Sequence, residues 1–330
     1  MERGAVDFRM RRLLLALLAL VATGALILRL RDPESAVLDA AARQGVPGQF
    51  AELTAGVTHY EVAGPDSGAR VLLVHGFSVP AYIWDSTFVA LTGAGFRVAR
   101  YDTYGRGWSD RPDVRYDEAL YIGQVQDLLD TLGWTGNVHL VGLSAGGPIV
   151  ASFTSQHPSR ILSFTLIDPA AGTSGGIPRA FQWPLVGLLL WQGLAVPDMA
   201  DGQSSDFVEP SRWPDWADRY RVQQRFKGFG RALRRTRMAQ EGRSIDSIYA
   251  QAAGAQRPAL LIWGIEDQTV PITRADGVRN ALPGIEYHAV ERAGHLPHME
   301  RPEVVHPILI DFLHRHGAAP TDSTAPVRTP

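Results

Sequence analysis

The sequence predicts an α/β fold, a mostly parallel sheet flanked by helices, and three observations carry that expectation. Short apolar runs recur at 71–74, 138–141, 164–167 and 260–263. Strands that read as near-continuous apolar residues are those covered on both faces, as in parallel sheets. Between them, 116–132 and 148–157 have helical length and spacing, so strands and helices alternate as a layered sheet requires. Finally, Gly142-Leu143-Ser144-Ala145-Gly146 follows an apolar run and precedes Pro148-Ile149-Val150-Ala151, the order of a strand, a sharp turn and a helix.

From the N-terminus, Arg9, Arg11 and Arg12 come first, then sixteen residues without a charge, 13–28, then Arg29 and Arg31. As a helix this run is about 24 Å long, short of a hydrocarbon core of about 30 Å unless the arginines snorkel. It reads as a single-pass membrane anchor, with a cleaved signal segment and a peripheral helix as the alternatives. Ala22-Thr23-Gly24 is a poor small-residue cleavage site, and the apolar run continues past it. More arginine precedes the run than immediately follows it, which leaves the basic start cytoplasmic and places the remaining chain on the non-cytoplasmic side. After signal cleavage the chain is instead secreted or periplasmic.

Residues 32–49 read as a helical connector ended by Gly45, Pro47 and Gly48. Strands are expected around 58–62, 71–74, 96–101, 138–141, 164–167, 260–263 and 286–290. The stretch 172–254 interrupts the alternation. It carries Trp183, Trp191, Trp213, Trp216 and the apolar run 181–190, which form either a contact surface for a lipophilic substrate or a small core of their own. Its basic residues are Arg212, Arg219, Arg221, Arg225, Lys227, Arg231, Arg234, Arg235 and Arg237, with acids such as Asp215 and Asp218 among them. They read as a solvated helical face or as a surface for anionic headgroups. The tail 317–330, rich in Ala, Pro, Thr and Ser, is expected to be disordered. There is no internal repeat.

Composition narrows the function classes. A net charge of −2 over 330 residues gives no global attraction to nucleic acid, and neither a phosphate-binding Gly-Lys-Ser/Thr loop nor zinc-type Cys/His spacing occurs. No nucleic-acid partner, cofactor or metal is expected. The chain has no cysteine, which excludes disulfides and thiol nucleophiles but is compatible with either redox compartment.

A glycine-any-serine-any-glycine match alone is weak, arising by chance in roughly one chain in six at this glycine content. Its companions specify it. His75-Gly76-Phe77-Ser78 follows an apolar run, and Tyr101-Asp102-Thr103-Tyr104-Gly105-Arg106-Gly107-Trp108-Ser109-Asp110 follows the next. Trp263-Gly264 leads through Asp267 to Val270 and Pro271, and Gly294-His295 precedes Pro297, His298, Glu300 and Pro302. In these five motifs and their order the chain resembles the α/β-hydrolase superfamily over 57–316, as a serine esterase- or lipase-like member.

The resemblance implies a mostly parallel α/β-hydrolase sheet with an inserted helical cap. The organisation is then an anchor or signal segment at 1–35, a core formed by 36–171 and 255–316, a cap at 172–254 and the tail at 317–330. A serine hydroxyl is barely ionised near neutral pH, so Ser144 needs a base. His295 fits as the base, and Asp267 fits as the acid that fixes its tautomer. By resemblance the oxyanion donors are the backbone N–H groups of Phe77 and Ala145, and His75 supports their loop. Asp168 is the alternative acid, because some family members place theirs after that strand. His298 is supporting or structural, Glu266 faces solvent, and Asp102 with Arg106 organises its own loop.

The expected activity is hydrolysis of carboxylic esters, lipophilic acyl esters among them, through an acyl-enzyme. The partners are a small-molecule ester and membrane lipid, and the oligomeric state is left open. The alternative within the fold is a carbon-carbon bond hydrolase of vinylogous diketones. Such enzymes typically carry a Ser-Gly-Pro-Gly oxyanion loop and an Asn-Ser-Met elbow, where this chain has Phe77-Ser78-Val79-Pro80 and Leu143-Ser144-Ala145. An alternative of another class is a non-catalytic ligand-binding or scaffold protein on the same fold.

Overall fold

The structure, a computed structural model, describes residues 2–317, so the expected tail lies outside the described residues except for Gly317. One sheet contains β1 (Gln49–Leu53), β2 (Gly56–Ala63), β3 (Arg70–Val74), β4 (Arg97–Tyr101), β5 (Val138–Leu143), β6 (Ile161–Ile167), β7 (Ala259–Gly264) and β8 (Glu286–Val290). Their order is β1-β2-β4-β3-β5-β6-β7-β8. The β1–β2 and β2–β4 pairs are antiparallel and all later pairs parallel. Helices α1 (Glu2–Arg31), α2 (Asp85–Gly93), α3 (Glu118–Thr131) and α4 (Gly146–Gln156) precede β6. Between β6 and β7 lie α5 (Arg179–Gln182), α6 (Val186–Leu190), α7 (Met199–Gly202), α8 (Trp216–Gln224), α9 (Phe229–Gln240) and α10 (Asp246–Ala253). Then come α11 (Ala275–Ala281), α12 (Pro297–Glu300) and α13 (Pro302–Arg315).

Period-two alternation sends strand side chains to opposite faces. Leu72 and Val74 of β3 join Leu140, Leu166 and Leu261 in a cluster with α3, α4, α10 and α11. Val71 and Leu73 join Val141, Leu260 and Ile262 in a second cluster with α2 and α13. Both faces are dry, which explains the continuous apolar runs. The second cluster continues into the helical insertion through Trp191, Phe207, Trp216, Tyr220, Phe229 and Leu233, so the insertion shares a core with the sheet.

Two expectations are corrected. Residues 32–49 are turns and extended chain, not a helix. The backbone hydrogen bonds of this stretch go outward: Ser35 and Ala36 N–H donate to the Arg225 carbonyl, and Lys227 N–H donates to the Ala36 carbonyl. Glu34 accepts from Gly228 and Gly230 N–H, both at 2.6 Å. A helix there cannot also satisfy these partners. The second correction is β1, an edge strand whose five residues carry too little apolar alternation to stand out.

The insertion's tryptophans settle the choice left open for them. Trp191 is buried and its Nε1–H donates to the Gly230 carbonyl at 2.8 Å. Trp213 stacks on Phe207 at 4.2 Å between centroids, and Trp216 meets Phe207 and Tyr82 edge-on. They pack into the core that the insertion shares with the sheet. Trp183 is instead 59% exposed, beside Leu185 at 84%. Finally, α1 contains a stretch, Met10–Arg31, long and apolar enough to cross a membrane, with none of its most apolar window buried in protein. It packs against α6 and the π-helical segment Trp191–Ala195 that follows it, with Leu28 beside Gly193.

Candidate active site

Ser144 sits between β5 and α4 with φ of +51°, a left-handed conformation that costs a non-glycine residue of order 1–2 kcal/mol. Its neighbours hold it there. Ser144 N–H donates to the Ile167 carbonyl at 3.0 Å, and its own carbonyl accepts from Gly147 and Ala170 at 2.9 and 3.0 Å. Gly146 is required by close approach, because a Cβ there meets the Val74 carbonyl oxygen at 2.3 Å. The turn can therefore lie directly against the end of β3.

His295 reaches the same site from the loop after β8. Gly264 makes room for that loop, since a Cβ on it meets the Gly294 carbonyl oxygen at 2.0 Å. Glu300, buried, accepts from Gly294 N–H at 2.6 Å and from Val208 N–H at 2.7 Å, tying the loop to the insertion. His295 N–H donates to the Asp206 carbonyl at 2.9 Å. Its ring Nδ1 is 2.8 Å from Asp267 Oδ2. The other oxygen, Asp267 Oδ1, accepts from Thr269 and Val270 N–H at 2.8 and 2.9 Å. Both carboxylate oxygens are thus engaged, and the one facing His295 fixes Nδ1 as the protonated nitrogen, leaving Nε2 able to accept a proton.

Burial acts to lower the His295 pKa, but the hydrogen bond and charge of Asp267, with Asp206 adding, hold it above the ordinary 6.5. Any step that needs neutral His295 is switched on as pH rises through that raised value. We therefore expect kcat/KM to climb with pH along a limb whose midpoint lies above 6.5, then level. Asp206→Asn removes a neighbouring negative charge and is expected to move the midpoint down. A pH–rate profile checks both; a strongly acidic optimum contradicts the assignment.

Asp168, the alternative acid, is close but differently occupied. A carboxyl oxygen of Asp168, one of Asp267 and a ring nitrogen of His295 lie within 4.8 Å of one another. Asp168 Oδ1 accepts from Gly264 N–H at 2.8 Å. Burial, with the Asp267 charge next, pushes its carboxyl well above the usual range, which favours its neutral form. These three are the residues that could hold a cation among those described. His295 Nδ1 already faces Asp267 Oδ2.

The loop after β3 supplies the remaining geometry. Neither Phe77 N–H nor Ala145 N–H donates to an acceptor among the described residues, and both residues line one cavity of about 340 Å³ with Ser144 and His295. His75 is fully buried; burial pushes its pKa down to about 4, so it is neutral. It lies 2.9 Å from the Gly76 carbonyl through Nδ1, while Nε2 accepts from Thr103 N–H at 2.9 Å. Arg106 Nε donates to the Phe77 carbonyl at 2.8 Å, and its other nitrogens reach Tyr121 and Thr236. Arg106 therefore does more than organise its own loop: it links the Phe77 carbonyl to α9. Gln223 of α8 donates to the Ser78 carbonyl at 2.8 Å.

Asp102 accepts from Ala81 and Trp108 N–H and pairs with His59 Nδ1 at 2.8 Å. His298 lies 3.1 Å from the Ile83 carbonyl, and burial pushes its pKa to about 3. Glu266 is exposed. Sequence reasoning missed Asp206, His59 and Gln223; their contacts join segments far apart in the chain and leave no local signal.

The cavity has two sides of different character. The core contributes Val79, Ile83, Leu143, Pro148 and Leu296, and the insertion contributes Ser174, Gln203, Ser205, Asp206, Arg237 and Gln240. None of the four insertion tryptophans lines it.

A family profile for the alpha/beta hydrolase fold matches residues 69–302. The chain is 30% identical over 265 residues to a Variovorax paradoxus protein, RutD, named for carbamate hydrolysis, covering 79% of this chain and 97% of the relative. It is 27% identical over 286 residues to a 2-hydroxy-6-oxononadienedioate/2-hydroxy-6-oxononatrienedioate hydrolase of Paraburkholderia phymatum, covering 80% and 95%. The enol-lactonase of Burkholderia xenovorans superimposes with a TM-score of 0.69 at 22% identity, covering 81% of this chain and all of that one.

Proposed function

The chain belongs to the α/β-hydrolase family, and from that premise we propose that it is a serine hydrolase cleaving carboxylic esters through an acyl-enzyme. The observation that carries the reading is the strained Ser144 in one cavity with a His295 whose Nδ1 is held by Asp267, beside two uncommitted N–H groups. In this reaction Ser144 Oγ attacks the ester carbonyl while its proton passes to His295 Nε2. The oxyanion is met by Phe77 and Ala145 N–H, and one such donor is worth about 3 kcal/mol. The imidazolium returns its proton to the leaving alcohol, and water then repeats the sequence on the acyl-serine. The apolar core side of the cavity suits the chain of a lipophilic acyl group.

The second reading is a carbon-carbon bond hydrolase, favoured by the likeness to the Paraburkholderia dienedioate hydrolase. A panel of p-nitrophenyl esters of graded chain length beside a vinylogous diketone tests the two. Ester turnover with no diketone turnover is expected; diketone turnover alone overturns the ester reading.

α1 is read as a single-pass anchor, with the catalytic domain on the non-cytoplasmic side. The stretch Met10–Arg31 gives about 33 Å of helix, enough for a hydrocarbon core of about 30 Å. Leu13, Leu14 and Leu15 are exposed around it, as on a helix that faces lipid. Exposed Trp183, Leu185 and Val186 belong to the segment next to its end, a placement suited to lipid contact at the membrane surface. The full chain is expected to sediment with membranes and to resist salt and carbonate extraction. Release by salt alone, or a mature N-terminus near Ala25, contradicts the anchor and supports signal cleavage.

A further inference from the structure

The insertion's basic residues are mostly committed elsewhere. Arg219 pairs with Asp85, Arg221 with Asp201 and Asp218, and Arg231 and Arg235 with Asp113. Arg234 donates to the carbonyls of Phe181, Gln182 and Trp183, and Arg212 to that of Glu300. Arg237 differs. It lines the cavity shared by Ser144 and His295, with its guanidinium carbon 4.4 Å from the centroid of the Phe77 ring. It makes no hydrogen bond or ion pair among the described residues, and it is solvent-exposed. Partial desolvation, then the charge of Arg106, pushes its pKa below the ordinary arginine value. Asp206, the acid in the same cavity, accepts from the Thr269 hydroxyl at 2.7 Å and is not paired with Arg237.

An arginine that lines a cavity and has no acceptor of its own can give charge-assisted hydrogen bonds to an anion that reaches it. Contact with Phe77 leaves all its N–H donors free, and the flanking Gln240 and Ser174 add polar atoms to that wall. We propose that Arg237 binds a carboxylate carried by the substrate away from the scissile bond, so that the preferred substrates are anionic esters whose apolar stretch lies on the core side of the cavity. This rests on the ester reading above. The carboxylate can belong to the acyl half, as in a half-ester of a dicarboxylic acid, or to the alcohol half.

Three esters separate these sources: mono(4-nitrophenyl) glutarate, with the charge on the acyl side; 4-carboxyphenyl butyrate, with the charge on the alcohol side; and neutral 4-nitrophenyl butyrate. The readout is the ratio of anionic to neutral kcat/KM, which cancels general damage to the site. For at least one anionic ester this ratio is expected to fall about 10- to 100-fold in Arg237→Gln, the range for a lost hydrogen bond to a charged group, and to recover in part in Arg237→Lys. The arm that falls identifies the half carrying the charge. Ratios unchanged in both arms overturn the proposal. Glutarate binding by calorimetry needs no turnover and separates this proposal from the ester reading. Binding by the full chain that weakens in Arg237→Gln supports the anion site even if no ester is cleaved, whereas equal or absent binding overturns it.

Discussion

Ser144→Ala is expected to lower kcat/KM for ester hydrolysis by about 10⁴- to 10⁶-fold, with His295→Ala falling in the same range. The two residues act in one step: without the hydroxyl nothing attacks, and without the imidazole nothing takes the proton. The double variant is therefore expected to cost about as much as either single one, far less than their product. Ser144→Ala is the cleaner substitution, because no hydrogen bond among the described residues uses Oγ, whereas removing His295 strips a partner from buried Asp267. Circular dichroism and thermal melting of Ser144→Ala should match the wild type. Turnover that survives in the folded variant removes Ser144 from the chemistry.

Asp267→Asn is the second large effect, expected near 10⁴-fold in kcat. An amide in that place can present N–H to His295 Nδ1, which favours the tautomer that carries its proton on Nε2 and cannot act as base. Asp168→Asn should change turnover little by comparison. Burial favours the neutral form of Asp168, and an asparagine oxygen can still accept from Gly264 N–H. Steady-state kinetics of the two variants side by side decide between the acids. Near-wild-type turnover in Asp267→Asn with loss in Asp168→Asn transfers the role to Asp168.

The parts of this site legible in the sequence are those with local grammar. The strand, turn and helix around Ser144, the loop at Asp267 and the Gly294-His295 loop each announce themselves within a few residues, because backbone geometry there demands small residues and fixed spacing. Six of the seven expected strands lie within observed ones, while the strand expected at 96–101 begins one residue early. What stayed illegible depends on contacts across the fold. Residues 32–49 look helical by composition, yet Glu34 and Ala36 spend their polar groups on the insertion. Asp206 and Arg237 looked like ordinary insertion charges. Only the packing of the insertion on the sheet brings one to His295 and leaves the other unpaired in the cavity. His59 gave no signal at all, since its partner Asp102 lies across the β2–β4 edge.

Covalent capture by a fluorophosphonate tests the central claim most directly, because the reagent modifies a serine only where a base and an oxyanion site already activate it. Intact-mass and peptide mass spectrometry of the labelled protein should place one adduct on Ser144, with none in Ser144→Ala and slow labelling in His295→Ala. A folded wild-type protein that takes no label, or a Ser144→Ala variant that is labelled as fast as the wild type, contradicts the serine hydrolase account.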